Sequence, residues 1–215
     1  MKMKKSFTLV ELLVTIGIIV LLATASLIPL KTHQDKAHLD AAVTQIKDAI
    51  SKTQNYAFAP EQEDISGYAF VLNISENNQD YYGTTLEPRS YGIFTLAPSG
   101  SLVPATRTLV NSSLIKIPVQ LQVPQGCYSF YGTDLFQIFF RLGDGIAGCS
   151  CIPDYGYLRY YDAPDPSFWT ACTIGGDYTD ITISYANRQK RIRINKISGQ
   201  LEVCIPQASG ECQVI

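Results

Sequence analysis

The sequence predicts an α+β chain: one long N-terminal α-helix, apolar enough in its first half to span a membrane, packed through its second half on an antiparallel β-sheet head. Three observations predict this. Residues 7–28 form a run of 22 with a single charge, Glu11. Residues 31–56 turn polar but keep Leu39, Val43, Ile46 and Ile50 at spacings of four, three and four. Beyond Pro60 the hydrophobic residues come in short β-branched and aromatic runs with turn residues between them.

As a helix the first run would be about 33 Å long, against a hydrocarbon core of about 30 Å. Lys2, Lys4 and Lys5 precede it, and a basic flank marks the end that stays in the cytoplasm. The second run carries one apolar stripe, with Lys36, Asp40, Lys47, Asp48 and Lys52 around it. That pattern docks a helix on a sheet by ordinary core packing. Pro29 lies between the two; a proline kinks a helix or marks a local break. One helix from Phe7 to about Tyr56 would be some 75 Å long.

Strands are expected at Tyr68–Asn73, Tyr91–Leu96, Leu114–Val123, Phe136–Leu142, Asp180–Ala186, Arg191–Lys196 and Leu201–Ile205, from their β-branched and aromatic content and, in several, their alternation. Pro98-Ser-Gly, Pro124-Gln-Gly, Gly143-Asp-Gly and Ser198-Gly punctuate them, as turn residues do. The stretch "RIRINKISGQLEVCI" reads as a hairpin turning around Lys196–Gln200. The chain thus divides into 1–6, a short basic leader; 7–30, the apolar helix; 31–57, its amphipathic continuation; and 58–215, the β-rich head. A head of about 155 residues is an ordinary single-domain size.

Glu11 is the anomaly. A carboxylate deep in a membrane segment costs roughly 2.5–3.5 kcal/mol on insertion scales, so it calls for a function and a partner. Two cleavage readings compete. Ala23-Thr24-Ala25 is a small-x-small site after an apolar run; cleavage there gives a soluble secreted protein starting at Ser26. A cut between Ser6 and Phe7 keeps the helix and frees an α-amino group on Phe7, four residues before Glu11. Residues four apart share a helix face, and a first-turn carboxylate suits the positive end of the helix dipole. The same pair can form between chains, Glu11 of one facing the Phe7 amine of the next, and would then set the register of packed helices.

At these residues, "KKSFTLVELLVTIGIIVLLATA", the chain resembles the N-terminus of type IV pilins and type II secretion pseudopilins. The resemblance implies the pilin-like fold, cleavage after Ser6 by a prepilin peptidase, N-methylation of Phe7, and Glu11 as the assembly residue that recognises a neighbouring amine. It implies storage in the inner membrane as a single-pass protein, with the head outside the cytoplasm and membrane lipid around the helix. Other pilin or pseudopilin subunits and an inner-membrane assembly platform are the implied partners, and a cell-envelope or surface filament the destination. The family usually has Gly before the cut, where this chain has Ser6; slower processing is the expected consequence. The order "LIKIPVQLQVP…FQIFFRLGDGIAG…ITISYANRQKRIRINKISGQLEV" is similar to the minor pseudopilins GspH and FimT, and implies a minor subunit.

The cysteines Cys127, Cys149, Cys151, Cys172, Cys204 and Cys212 all lie in the head, beyond the membrane, which fits disulfides in an oxidising compartment. Six allow 15 connectivities. Cys204 and Cys212 bracket a short Pro/Gly-bearing C-terminal loop of the kind many pilins close with a disulfide, so this pairing is expected. Cys149 and Cys151 would then reach toward Cys127 and Cys172. The C-x-C spacing is not that of a paired C-x-x-C zinc site.

No catalytic constellation is present: there is no phosphate loop, no H-E-x-x-H and no G-x-S-x-G, so the chain reads as no enzyme and calls for no cofactor or metal. His33 and His38 read as solvated helix residues, and Asp162 and Asp165 as a surface turn. The one basic cluster is Arg188, Lys190, Arg191, Arg193 and Lys196. Its plain reading is a half-buried strand with Ile192 and Ile194 inward and Arg191 and Arg193 outward. Its sharper reading, suggested by FimT, is a DNA-contacting patch. Charge balance opposes strong nucleic-acid binding. Three of the 17 Lys+Arg lie in residues 1–6, which leaves 14 against 19 Asp+Glu, a formal side-chain charge of −5, poor for long-range attraction to phosphate. The alternatives are therefore a structural filament subunit, a ligand-binding tip subunit for DNA or adhesion, and a secreted soluble protein.

Overall fold

A computed structural model describes residues 8–60, 65, 67–81, 83–96, 108–123, 135–143, 147–148, 178–195, 198–207 and 211–214. Helix α1 (Leu9–Phe58) runs for 50 residues without interruption, about 75 Å. Pro29 does not break it, although proline supplies no N–H to the preceding turn. The helix stops two residues beyond the expected Tyr56. Ala59 precedes Pro60, a position that disfavours helical backbone, and takes φ −130° and ψ 77°.

Twelve strands follow among the described residues. They are β1 (Gly67–Asn73), β2 (Gln79–Tyr81), β3 (Thr84–Leu86), β4 (Ser90–Leu96), β5 (Leu109–Leu114), β6 (Gln120–Gln122), β7 (Leu135–Arg141), β8 (Ala147–Gly148), β9 (Tyr178–Tyr185), β10 (Arg188–Asn195), β11 (Leu201–Pro206) and β12 (Cys212–Val214). The expected single sheet is in fact two five-stranded antiparallel sheets, ordered β5-β4-β1-β7-β8 and β12-β11-β10-β9-β6, plus the small hairpin β2-β3. The expected strand Leu114–Val123 is likewise split. β5 ends at Leu114 in the first sheet, and β6 begins at Gln120 in the second. Pro118 lies in the gap, where it cannot donate to a ladder. Ile115 and Val119 are buried across this corner, and the Ile115 N–H donates to the Arg89 carbonyl at 3.0 Å.

The second half of α1 packs on β1 and β7 of one sheet and on β9 and β10 of the other. Leu39, Val43, Ile46 and Ile50 are all buried there, and Ala42, Ala49 and Ala57 widen the stripe. Every residue of β1 is buried, because the strand is covered on both faces. Tyr68, Phe70 and Leu72 meet the helix side, while Ala69 and Val71 join Tyr81, Leu86, Phe94 and Leu135 in a second cluster under β2-β3.

Gly92 in β4 shows how tight that second layer is. A Cβ placed there would lie 2.6 Å from Phe94 Cε2 and 3.2 Å from Leu109 Cδ1, and the Phe94 ring is itself fully buried against Tyr81 at 4.6 Å. Gly92→Ala is expected to cost about 1–3 kcal/mol, the usual range for overpacking, and to be read as a lower urea midpoint with an unchanged slope.

Candidate functional site

The helix begins with a reciprocal cap. Thr8 is extended, at φ −77° and ψ 150°. Its Oγ1 accepts from the Glu11 N–H at 3.2 Å, and Glu11 Oε2 accepts from the Thr8 N–H at 3.3 Å and from its hydroxyl at 3.3 Å. This is a capping box, which satisfies two backbone donors that a helix start otherwise leaves without partners. Thr8 is the residue that the sequence reading missed. Its signal was available, since Thr-x-x-Glu before an apolar run is the capping-box pattern. Ser6 and Phe7 lie outside the described residues.

From Leu9 to Thr24 the helix is exposed on every side, and apart from Glu11, Thr15, Gly17 and Thr24 its residues are apolar. Leu9, Leu12, Leu13, Ile16, Ile19 and Leu22 are each more than half exposed. The hydroxyls in this stretch turn inward on their own helix. Thr15 Oγ1 donates to the Leu12 carbonyl at 2.8 Å, and Thr24 Oγ1 to the Leu21 carbonyl at 2.9 Å. Such a surface demands a cover of lipid or of other chains, and Glu11 is the one charge within it. Among the described residues no helix is long and apolar enough to cross a membrane. The run whose side chains are described ends at Thr24, so the expected span 7–30 reaches beyond them on both sides.

The described members of the basic cluster are divided between the two faces of β10. Ile192 and Ile194 are buried, as expected, and Arg191 and Arg193 lie on the opposite face of β10. Both arginines converge on one carboxylate. Arg193 Nε and Nη2 donate to Asp180 at 3.1 and 3.3 Å, and Arg191 Nη1 lies 3.3 Å from Asp180 Oδ2. The hydrogen bonds it donates to Asp180 hold the Arg193 guanidinium above its usual pKa, and the group stands 5.1 Å over the Tyr178 ring. Lys190 turns to the helix side and meets Asp40 of α1 at 2.8 Å. Arg188 is exposed, and Lys196 lies outside the described residues. A phosphate approaching this strand would compete with Asp180 for both arginines.

A disulfide joins Cys204 to Cys212, with Cα atoms 5.4 Å apart. Cys127, Cys149, Cys151 and Cys172 lie outside the described residues, as do Asp162 and Asp165. The His38 ring sits 5.5 Å from that of Tyr185. Among the described residues no three His, Cys, Asp or Glu side chains are grouped to hold a metal.

No curated protein and no solved structure matches the chain. A family model described as the prokaryotic N-terminal methylation motif matches residues 1–27. The match spans Lys2, Lys4 and Lys5, the Ser6–Phe7 bond, the Thr8–Glu11 cap and the exposed apolar run to Thr24. At its N-terminus, then, the chain carries a type IV pilin-like signal.

Proposed function

We propose that the chain is a structural subunit of a type IV pilus or type II secretion pseudopilus, of the minor GspH/FimT-like class. In this reading a prepilin peptidase cuts after Ser6 and Phe7 is N-methylated. The apolar helix holds the subunit in the inner membrane, with its head outside the cytoplasm, until an assembly platform moves it into a filament. The role is mechanical rather than catalytic. The observation that supports it is the exposed apolar run Leu9–Thr24 of α1, with Glu11 as its one charge, inside the stretch that matches the methylation motif.

The chemistry of assembly follows from that geometry. Lipid and neighbouring apolar helices are equivalent covers for Leu9–Leu22, so exchange between them costs little hydrophobic free energy. The charge decides the difference. An amine on a neighbouring Phe7 pairs with the Glu11 carboxylate in a low-dielectric surrounding, where opposite charges attract far more than in water. A helix shifted along its axis would leave both groups unpaired. The polar second half of α1 stays with the head, through Ile46, Ile50 and the Asp40–Lys190 pair.

The reading is tested by shearing surface filaments from cells that make the chain, and by isolating envelope pseudopili from overproducing cells. The chain is expected in these fractions when the prepilin peptidase is active and in the inner membrane alone when it is deleted. Equal amounts of the chain free in the medium with and without the peptidase would overturn it.

A further inference from the structure

The C-terminal strand β12 is held in an unusual way. It is three residues long and among the described residues pairs with β11 alone, through Cys204↔Val214, Ile205↔Gln213 and Pro206↔Cys212. It buries no apolar side chain: Cys212 is half-buried, Gln213 is exposed and Val214 is 59% exposed. Its approach is tied by two exposed hydrogen bonds, Gln207 N–H to the Glu211 carbonyl at 2.9 Å and Gln207 Nε2 to Gln213 Oε1 at 3.0 Å. So short a pairing, without burial, has little to set against the entropy of ordering it.

The disulfide supplies what burial does not. Cys204 is fully buried in β11, opposite Arg191 of β10, and Cys212 stands at the edge. One sulfur is therefore fixed in the packed layer and the other in the strand that lacks anchorage. β11 needs no such help, because Val203 and Leu201 pair with the buried Ile192 and Ile194.

We infer that β12 is a redox-released strap on the edge of the second sheet. A dithiol reductant breaks the Cys204–Cys212 bond. Its two electrons and two protons leave two protein thiols, and the dithiol closes to its own disulfide. β12 then leaves β11, while β11, β10 and β9 keep their pairing. The released state exposes the outer N–H and C=O groups of β11 beside Ile205, which is 40% exposed already, as an open sheet edge. The inference is independent of the filament reading.

Hydrogen–deuterium exchange on the full detergent-solubilised chain tests it, with mass spectrometry of peptides covering 201–207, 211–214 and 178–195. In Cys212→Ala, and in wild type after brief dithiol treatment, exchange in the first two regions is expected to rise at least tenfold, with 178–195 unchanged. Unchanged exchange at 211–214 without the disulfide would overturn the inference, because β12 would then stay docked unaided. An equal rise across 178–195 would overturn it as well, because the disulfide would then hold the whole sheet. If Cys212→Ala fails to fold, the dithiol-treated wild type decides by the same readout.

Discussion

Glu11→Gln is expected to deplete the chain from filaments by roughly two orders of magnitude while leaving it folded and membrane-bound. The substitution is nearly isosteric, and Gln serves as well as Glu at the third position of a capping box. The bonds between residue 11 and Thr8 can therefore persist, and the helix still starts at Leu9. What disappears is the charge. The neighbouring Phe7 amine is left uncompensated among apolar helices, at a cost of about 2.5–3.5 kcal/mol, and each 1.4 kcal/mol is about tenfold at equilibrium. Immunoblots of sheared-filament and membrane fractions read the effect. Wild-type levels of Glu11→Gln in filaments would show that the carboxylate does not select the assembled register.

The second large effect is in the head. Ile46 is fully buried where α1 meets both sheets. Ile46→Ala is expected to cost about 2–5 kcal/mol, the range for deleting a large aliphatic side chain from a packed core. Asp48→Ala, two residues on and exposed, is expected to change stability by less than about 0.5 kcal/mol. Urea unfolding followed by tyrosine fluorescence compares the two. Because Ile46 lies in the part of the helix that holds the head, its loss should leave the apolar first half in the membrane and make the head sensitive to protease. A cost below about 1 kcal/mol would mean that the helix does not carry the core as described.

Much of this was legible from periodicity. The stripe Leu39, Val43, Ile46 and Ile50 announced a docked helix, and its neighbours Ala42, Ala49 and Thr53 escaped notice because small or polar side chains carry little hydropathy although all are buried. The alternation of β10 placed Ile192 and Ile194 inward. The same alternation puts Lys190 on their face, which is why it meets Asp40 of the helix instead of joining Arg191 and Arg193. The division into two sheets was not legible. β1 pairs with β7 across more than 60 residues of chain, and no local pattern reports which distant strand a given strand will join. β2, β3 and β12, at three residues each, are too short to show a period. Glu11 was legible as a charge out of place, but its bond to Thr8 required reading the cap as well as the anomaly.

Filament assembly through Glu11 requires that the chain be cut after Ser6 and keep its helix, so that the carboxylate gains an amine as partner. Mass spectrometry of the N-terminal peptide, on protein purified from its native membrane, tests it most directly. A mature peptide beginning at N-methylated Phe7 is expected. A mature start at Ser26 would contradict it: the apolar run and Glu11 would be gone, and no filament could be built through them.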